Sequence, residues 1–348
     1  MEEELQQYNL KMKASIKAIS YYLPEAVLSN DLINQEFPEW DIEKISSKTG
    51  ISSRHISASD EFSSDMAVSA AEKLFTEHNI DRSTIDYLLF CTQSPDYFLP
   101  TTACIIQEKL GLKTSIGALD FNLGCSGFVY GLSLAKGLIA GGMAENILLI
   151  TSETYSKFIH PKDKSNKTIF GDAAAATLIT SEKGFCSIEN FVFGTDGKGA
   201  ENLIVKQGGM RFPVSDENED IKDEFGNIRN DKNLFMNGTE IFNFTGEFVP
   251  KLTESILEKS NLSKDDIDLY IFHQANKYML NHLRKKIKIP EEKFFIAMEH
   301  CGNTVSSTIP IALYEAQKQE KLHNIKNLIL AGFGVGYSWA ACNLKIEQ

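Results

Sequence analysis

The sequence lacks the features that mark several large classes of protein. None of its six cysteines forms a C-x-x-C pair, which argues against zinc ribbons and redox dithiols. No apolar run approaches the length of about 20 residues that a membrane-spanning helix needs. There is no long run of lysine and arginine, and the formal net charge is −12, so neither nucleic acid nor a membrane is an expected partner. The N-terminal MEEELQQYNLKMK lacks the basic-then-apolar order of a signal peptide.

What is present is the composition of an ordinary globular protein of large size. Hydrophobic residues make up 43% and charged residues 24% of the 348 residues. Such a chain can bury a sizeable core without disulfides or a structural metal. The irregular cysteine spacing predicts reduced thiols and a cytoplasmic location, and no metal site is expected.

A weak internal repeat indicates that the chain arose by duplication. STIDYLLF resembles KDDIDLYIF when Ile85 is matched to Ile267, an offset of 182 residues. ENILLITSE resembles KNLILAGFG when Asn146 is matched to Asn327, an offset of 181 residues. Chance is the alternative, because an acidic turn before an apolar strand is common in α/β proteins. Agreement in both order and spacing favours duplication.

Each half reads as helix, buried strand, helix, buried strand, which predicts an α/β protein with parallel or mixed sheets. We expect a layered fold of two similar halves, 13–185 and 186–348, related by a pseudo-twofold axis. The polar, acidic stretch at 196–236 interrupts the second half. It is interpreted either as a solvated surface insertion or as a mobile cap near the entrance of a site.

Cys125 is the first candidate for a catalytic residue. It follows an apolar segment and precedes a helix-like pattern, and its neighbours Gly124, Ser126 and Gly127 are small enough for backbone to approach a ligand. A cysteine at a helix N-terminus gains thiolate character from the helix dipole and the free N–H groups. The alternative is plain core packing, which fits the other five cysteines better.

His273 and Asn303 become candidates through the repeat. His273 ends an apolar strand, where α/β proteins collect their sites, although a structural histidine is the alternative. Asn303 alone reads as a helix cap, yet it falls 178 residues after Cys125, near the equivalent position in the second half. The three residues would then meet where the halves join. The glycine-rich LAGFGVGYSW that follows fits an oxyanion hole better than a dinucleotide loop.

These segments resemble a known family. LGCSGFVYGL, FHQAN and GNTVSSTIPIAL are similar to the three catalytic motifs of β-ketoacyl-acyl-carrier-protein synthase III. SKTGISSRHI, FGDAAAATLI and GFGVG also resemble that family, and the likeness runs in order from about Lys13 to the C-terminus. The resemblance implies a thiolase-like fold with α-β-α-β-α layers, and a homodimer.

The resemblance also implies a reaction, the decarboxylating Claisen condensation that starts fatty acid synthesis. An acyl-CoA primer would acylate Cys125, and malonyl-acyl-carrier protein would supply the second carbon unit. His273 and Asn303 would stabilise the enolate, and backbone N–H groups of Cys125 and Gly334 would form the oxyanion hole. Acyl-CoA enters as a substrate, and no tightly bound cofactor is implied.

Other positions carry over from the family in the same way. Trp40 and Lys164 would flank the adenine of coenzyme A, and Thr239 and Asn276 would line the path of substrate. Leu99 would reach across the dimer to close the acyl pocket. Because many family members have phenylalanine there, a leucine predicts room for a longer or branched primer.

Lys285 and Lys286 match lysines that dock the acidic carrier protein, although a solvated helix face is the alternative. Tyr278 and Asn243 stand where the family usually has basic residues. These departures keep open a specialised member that transfers acyl groups to oxygen or nitrogen, or that primes secondary metabolite or glycan synthesis. A non-catalytic homologue is disfavoured because all three catalytic residue types are present.

Overall fold

The structure is a computed structural model that describes residues 13–215 and 217–347. Three parts of the predictions lie outside the described residues. These are the N-terminal stretch 1–12 considered as a signal peptide, residue 216 in the predicted insertion, and residue 348 at the end of the second half.

The described chain alternates strands and helices. The strands are β1 (Ser15–Tyr22), β2 (Ala26–Ser29), β3 (Ser53–Ile56), β4 (Tyr87–Cys91), β5 (Gly117–Phe121), β6 (Asn146–Glu153), β7 (Ala173–Thr180), β8 (Cys186–Thr195), β9 (Leu203–Val205), β10 (Ile221–Lys222), β11 (Ile228–Arg229), β12 (Leu234–Met236), β13 (Leu269–Phe272), β14 (Asn327–Gly334) and β15 (Ser338–Ile346). The helices are α1 (Asn30–Glu36), α2 (Ile42–Thr49), α3 (Ser63–Glu77), α4 (Thr102–Lys109), α5 (Gly127–Ala140), α6 (Lys164–Lys167), α7 (Gly238–Ser260), α8 (Lys277–Ile287) and α9 (Thr308–Lys318). Short 3-10 helices lie at Arg82–Thr84, Tyr155–Phe158, Gly197–Asn202, Glu291–Lys293 and Val305–Ser307.

The main sheet has the same topology in both halves of the chain. Its strand order is β13-β14-β15-β8-β1-β7-β6-β4-β5. From the junction between β8 and β1, where two residue pairs join the halves, each half continues with two antiparallel pairings and then a parallel one. This symmetry confirms the predicted duplicated α/β fold.

The repeat extends to individual hydrogen bonds. Asp86 accepts hydrogen bonds from the two backbone N–H groups that start β6, each at 2.9 Å. Asp268 accepts from the two corresponding N–H groups at the start of β14, at 2.7 and 3.0 Å. Each carboxylate therefore ties a parallel strand pair in register, and both pairs end at the candidate site.

The helices form layers around the two halves of the sheet. The central layer consists of α5, which packs on β4, β6, β14 and β15, and α9, which packs on β1, β7 and β13. A helix as apolar as GFVYGLSLAKGLIA is typical of such a position, covered on all sides. On the outside, α3 and α4 cover the first half, and α7 with α8 covers the second. The result is the expected α-β-α-β-α order of layers.

The stretch at 196–236 is more structured than a solvated insertion. Its ends pair as β9 and β12, and its middle contains the β10–β11 hairpin. Leu203 and Leu234 are buried, whereas Met210, Phe212 and Phe225 are exposed. The ends therefore belong to the core, and the solvated interpretation holds for the middle alone. Within the described part of the chain, no helix combines the length and apolar character that crossing a membrane would require.

Candidate active site

Cys125 lies in the turn between β5 and α5 and is buried. A side chain at Gly124 would collide with the amide of Gln93, so the turn requires glycine there. Burial, and secondarily the nearby carboxyl of Glu153, raise the pKa of the Cys125 thiol to about 12. The backbone amides of Cys125 and Val335 oppose this rise without cancelling it. The expected thiolate character was wrong for the resting site, because desolvation outweighs the start of the helix.

Glu153 is a buried acid beside the thiol that the sequence interpretation missed. It ends β6 and accepts hydrogen bonds from the Gln93 backbone N–H at 3.0 Å, the Ser94 hydroxyl at 3.2 Å and the Ser306 hydroxyl at 2.8 Å. Burial raises the pKa of its carboxyl to about 8. In the repeat, Glu153 corresponds to Gly334, so the ends of β6 and β14 both lie near the thiol. An acid ending an otherwise apolar strand was the available signal.

His273 follows β13 and is buried. Its Nδ1 lies 2.7 Å from the Thr308 hydroxyl oxygen, and burial lowers the pKa of the imidazole to about 3. The ring is therefore neutral and carries a single N–H.

The Thr308 hydroxyl decides where that proton sits. It also lies 3.0 Å from the carbonyl oxygen of Val305. A hydroxyl has one hydrogen to donate. If it donates to Val305, it accepts the Nδ1–H of His273 and leaves a lone pair on Nε2. If it donates to Nδ1, His273 presents an Nε2–H instead.

Asn303 is held by both its backbone and its side chain. Its backbone bonds to Ile169 and Gly171, and its Oδ1 accepts from the Val305 backbone N–H at 2.9 Å. The Nδ2 group is thus the part of the amide left to donate. The helix-cap interpretation does not hold, because a 3-10 turn separates Asn303 from α9 and the N-cap of α9 is Ser307.

The three candidate residues meet at one cavity of about 160 Å³. Cys125 comes from the first half of the chain, and His273 and Asn303 come from the second. Phe333, Gly334 and Asn276 also line this cavity, together with Leu203 and Met236 from the 196–236 stretch. The structure therefore brings together the residues that the repeat suggested.

The glycine-rich segment packs directly on the candidate nucleophile. A Cβ at Gly334 would lie 2.7 Å from the Cys125 sulfur, and one at Gly332 would lie 2.7 Å from the Cys125 carbonyl oxygen. Real side chains do not tolerate such distances, so both positions require glycine. The amide that interacts with the thiol, however, belongs to Val335, one residue beyond the predicted Gly334.

Trp40 and Lys164 also come together. The Lys164 ammonium lies 5.2 Å from the centre of the Trp40 ring and 2.8 Å from a Glu39 carboxylate oxygen. Lys164 is buried in this arrangement. The cation therefore covers one face of the indole, as in a cation–π pair.

The remaining predicted contacts lie at different distances from the cavity. Asn276 lines the cavity and caps α8 by accepting from the Met279 N–H at 2.9 Å. Thr239 is exposed on the first turn of α7, beside Gly238, which lines the cavity. Leu99 is 86% exposed and lies outside the cavity lining.

The basic patch on α8 is smaller than the sequence indicated. Lys285 and Lys286 are exposed, but Arg284 is paired with Glu291 at 3.0 Å. At 1.5 Å per helical residue, Lys285 lies roughly 14 Å along α8 from Asn276. The two lysines are thus separated from the cavity by most of the helix.

The fold and the site define a class of protein. A duplicated α-β-α-β-α fold, with a cysteine from one half facing a histidine and an asparagine from the other, is the arrangement of thiolase-fold condensing enzymes.

Comparisons with known proteins identify the family within that class. The sequence models of 3-oxoacyl-[acyl-carrier-protein] synthase III and of its C-terminal part match residues 119–197 and 257–346. A curated β-ketoacyl-[acyl-carrier-protein] synthase III of Clostridium perfringens is 37% identical, over 96% of this chain and 99% of its own length. A solved 3-oxoacyl-(acyl-carrier-protein) synthase III is 49% identical, with a TM-score of 0.93 and coverage of 96% and 100%. A solved 3-oxoacyl-(acyl-carrier protein) synthase of Burkholderia xenovorans is 37% identical, with a TM-score of 0.87 and coverage of 96% and 94%. The chain belongs to the 3-oxoacyl-[acyl-carrier-protein] synthase III family.

The proximity of Glu153 to the thiol leads to a prediction about thiol reactivity. Glu153→Gln removes a carboxylate that is ionised where the thiol titrates, so the pKa of Cys125 falls and its alkylation at a fixed pH near 9 becomes severalfold faster. Peptide mass spectrometry after iodoacetamide treatment measures the rate at Cys125 separately from the exposed Cys104. Glu108→Gln, at an exposed carboxylate, should leave the rate unchanged. An unchanged rate in Glu153→Gln would remove the proposed electrostatic coupling.

Proposed function

We propose that the protein catalyses the condensation of an acyl-CoA primer with malonyl-acyl-carrier protein, with loss of carbon dioxide, and so starts fatty acid synthesis. The meeting of Cys125, His273 and Asn303 at one cavity carries the proposal. Membership of the synthase III family supports it.

The first step is acylation of Cys125. Its sulfur attacks the thioester carbonyl of the primer, the new carbon–sulfur bond forms, and the bond to coenzyme A breaks. Because the thiol is protonated at rest, its proton must leave during the attack, and the departing coenzyme A thiolate takes it up. His273, with a lone pair on Nε2, is the group at the cavity suited to carry it.

The backbone amides of Cys125 and Val335 are the proposed oxyanion donors, since both face the sulfur. Val335 replaces Gly334 in this role, and the two glycines allow the segment to approach closely. Loss of one such donor costs about 3 kcal/mol of transition-state stabilisation.

The second step is decarboxylation and carbon–carbon bond formation. Carbon dioxide leaves the malonyl thioester, and the enolate oxygen accepts hydrogen bonds from His273 Nε2–H and Asn303 Nδ2. The enolate carbon attacks the acyl-cysteine, and the Cys125 thiolate leaves and takes a proton from solvent. Neither step calls for a metal or a tightly bound cofactor.

The Thr308 hydroxyl serves both steps by changing its partner. Donation to Val305 leaves the Nε2 lone pair that acylation uses, whereas donation to Nδ1 sets the Nε2–H that the enolate requires. Rotation of one hydroxyl therefore interconverts the two forms of His273.

The outer parts of the substrates are assigned from the surface around the cavity. Asn276 lines the cavity, and Thr239 follows Gly238 at its edge, where a pantetheine arm would pass. Trp40 would bind the adenine of coenzyme A on the face that Lys164 leaves open, or after Lys164 moves away from Glu39.

A homodimer is supported by exposed apolar side chains. Tyr97, Phe98 and Leu99 form a projecting tip, with exposures of 63%, 75% and 86%. The edge strand β5 also carries the exposed Leu119. A second copy of the chain would bury both features and bring Leu99 toward the partner's acyl pocket. All six cysteines are free, which agrees with the proposed cytoplasmic location.

Intact protein mass after exposure to an acyl-CoA panel, followed by a malonyl-acyl-carrier-protein chase, tests the proposal. We expect a stoichiometric acyl adduct that is lost in Cys125→Ala and that disappears in the chase as a β-ketoacyl carrier forms. An adduct that survives the chase would favour the alternative acyltransferase function. No adduct with any primer would contradict the acyl-cysteine mechanism.

Thr308 should matter more for condensation than for acylation of a bound primer. Thr308→Val keeps the side-chain shape but removes the hydroxyl, so His273 loses control of its tautomer, and we expect condensation to slow by at least about tenfold. Thr308→Ser keeps the hydroxyl and should retain most of the rate. Single-turnover kinetics of the pre-formed acyl-enzyme measures this step, and ¹⁵N shifts of His273 report the tautomer. Equal rates and equal shifts in both variants would exclude the role.

Lys285 and Lys286 are the proposed contacts for the acidic carrier protein. Reversal of both to Glu should raise the KM for malonyl-acyl-carrier protein severalfold, with kcat little changed, because docking is electrostatic. The same charge change at the exposed Lys318 and Lys321, on the far end of α9, is the matched control. A KM equal to that of the control would exclude docking at this patch.

A further inference from the structure

A second cavity, of about 290 Å³, lies beside the first. The two share Leu203 in their walls. Val335 and Gly336, which directly follow the glycine against the thiol, form another part of the second wall. The amide of Gln93, which also lines this cavity, packs against Gly124, the residue before Cys125. An acyl chain attached to Cys125 therefore has this cavity within reach.

The cavity combines an apolar wall with one hydrogen-bonded row of polar groups. The apolar side chains are Phe158, Leu203, Ile204, Val205, Leu234 and Val335. The polar row runs from the Tyr155 hydroxyl to Gln93 Oε1 at 2.6 Å, and from Gln93 Nε2 to Asn122 Oδ1 at 3.2 Å. Tyr155 is buried, Gln93 is partly buried, and Asn122 is exposed at the rim.

The direction of the row leaves donors without partners. Burial raises the pKa of Tyr155, so its phenol keeps its proton and donates, which turns the Gln93 carbonyl toward it. One N–H of Gln93 is then used by Asn122. The second N–H of Gln93, and both N–H groups of Asn122, have no hydrogen-bond partner among the described residues.

The missing partner is an acceptor without charge. Among the described residues that line this cavity, none is a lysine, arginine, histidine, aspartate or glutamate. A carboxylate would therefore lose its hydration without gaining an ion pair. A hydroxyl or keto oxygen would satisfy the N–H groups at a much smaller desolvation cost. A purely apolar chain would leave them unpaired when it excluded water.

We propose that this cavity selects acyl primers that carry a neutral, hydrogen-bond-accepting oxygen within the first few carbons beyond the thioester. Gln93 is the central specificity-determining residue, Tyr155 orients it, and Asn122 extends the donor row toward the rim. The inference rests on the proposed acyl-cysteine step and adds the chemical class of the primer.

A pair of substrates of matched shape tests the inference. 3-Hydroxybutyryl-CoA and 3-methylbutyryl-CoA differ by a hydroxyl in place of a methyl group. The rate of Cys125 acylation is measured by intact mass, with each hydroxyl enantiomer used separately. We expect the wild-type protein to be acylated at least about tenfold faster by one hydroxyl enantiomer than by the methyl analogue.

Gln93→Leu removes both polar atoms at similar volume and should abolish or reverse that preference. Tyr155→Phe removes the group that orients Gln93 and should reduce it. The preference is a ratio of two rates on the same protein, so a smaller folded fraction does not change it. Gln317→Leu, at an exposed glutamine on α9, is the control and should keep the wild-type ratio.

The outcomes separate this inference from the proposed function. Acylation by both thioesters with no preference for the hydroxyl, or an unchanged ratio in Gln93→Leu, would overturn the inference and leave the condensing function intact. No acylation of Cys125 by any acyl-CoA would overturn the proposed function, and the inference with it.

Discussion

The turn that holds Cys125 packs against the end of β14 with no side chain between them. Gly332 meets the carbonyl of this turn and Gly334 meets its sulfur, at distances that any Cβ would make impossible. This contact joins the first half of the chain to the second. It places the Val335 amide against the thiol, and it puts both cavities on either side of the same segment. The site therefore depends on close backbone packing at the junction of the two halves.

The electrostatic character of the site follows from its burial. Desolvation raises the pKa of the Cys125 thiol and of the Glu153 carboxyl, and it lowers the pKa of His273. Each shift favours the uncharged form. An uncharged resting site costs less to bury than an ion pair would, and charge develops there when substrate supplies it. Hydrogen bonds, more than fixed charges, then decide which way protons move.

Much of the fold could be predicted from the sequence because the duplication is written in local patterns. Matched acid-then-apolar segments predicted β4 and β13 as equivalents, and β6 and β14 as well. The same offset placed His273 at a strand end and Asn303 near the counterpart of Cys125. Three details could not be predicted, namely the Val335 amide, the role of Thr308 and the burial of Glu153. Each depends on how one segment faces another that is distant in the chain.

The amino-acid sequence by itself determined the class of fold, the order of its elements and the residue types available for chemistry. Periodicity, strand ends and motif spacing are local properties, and they survive without coordinates. The tertiary structure alone decided the protonation of Cys125, the partner of His273 and the polar row at Gln93. These properties arise from desolvation and from contacts across the junction of the halves. Both depend on which atoms exclude water from a group, and that is set by packing.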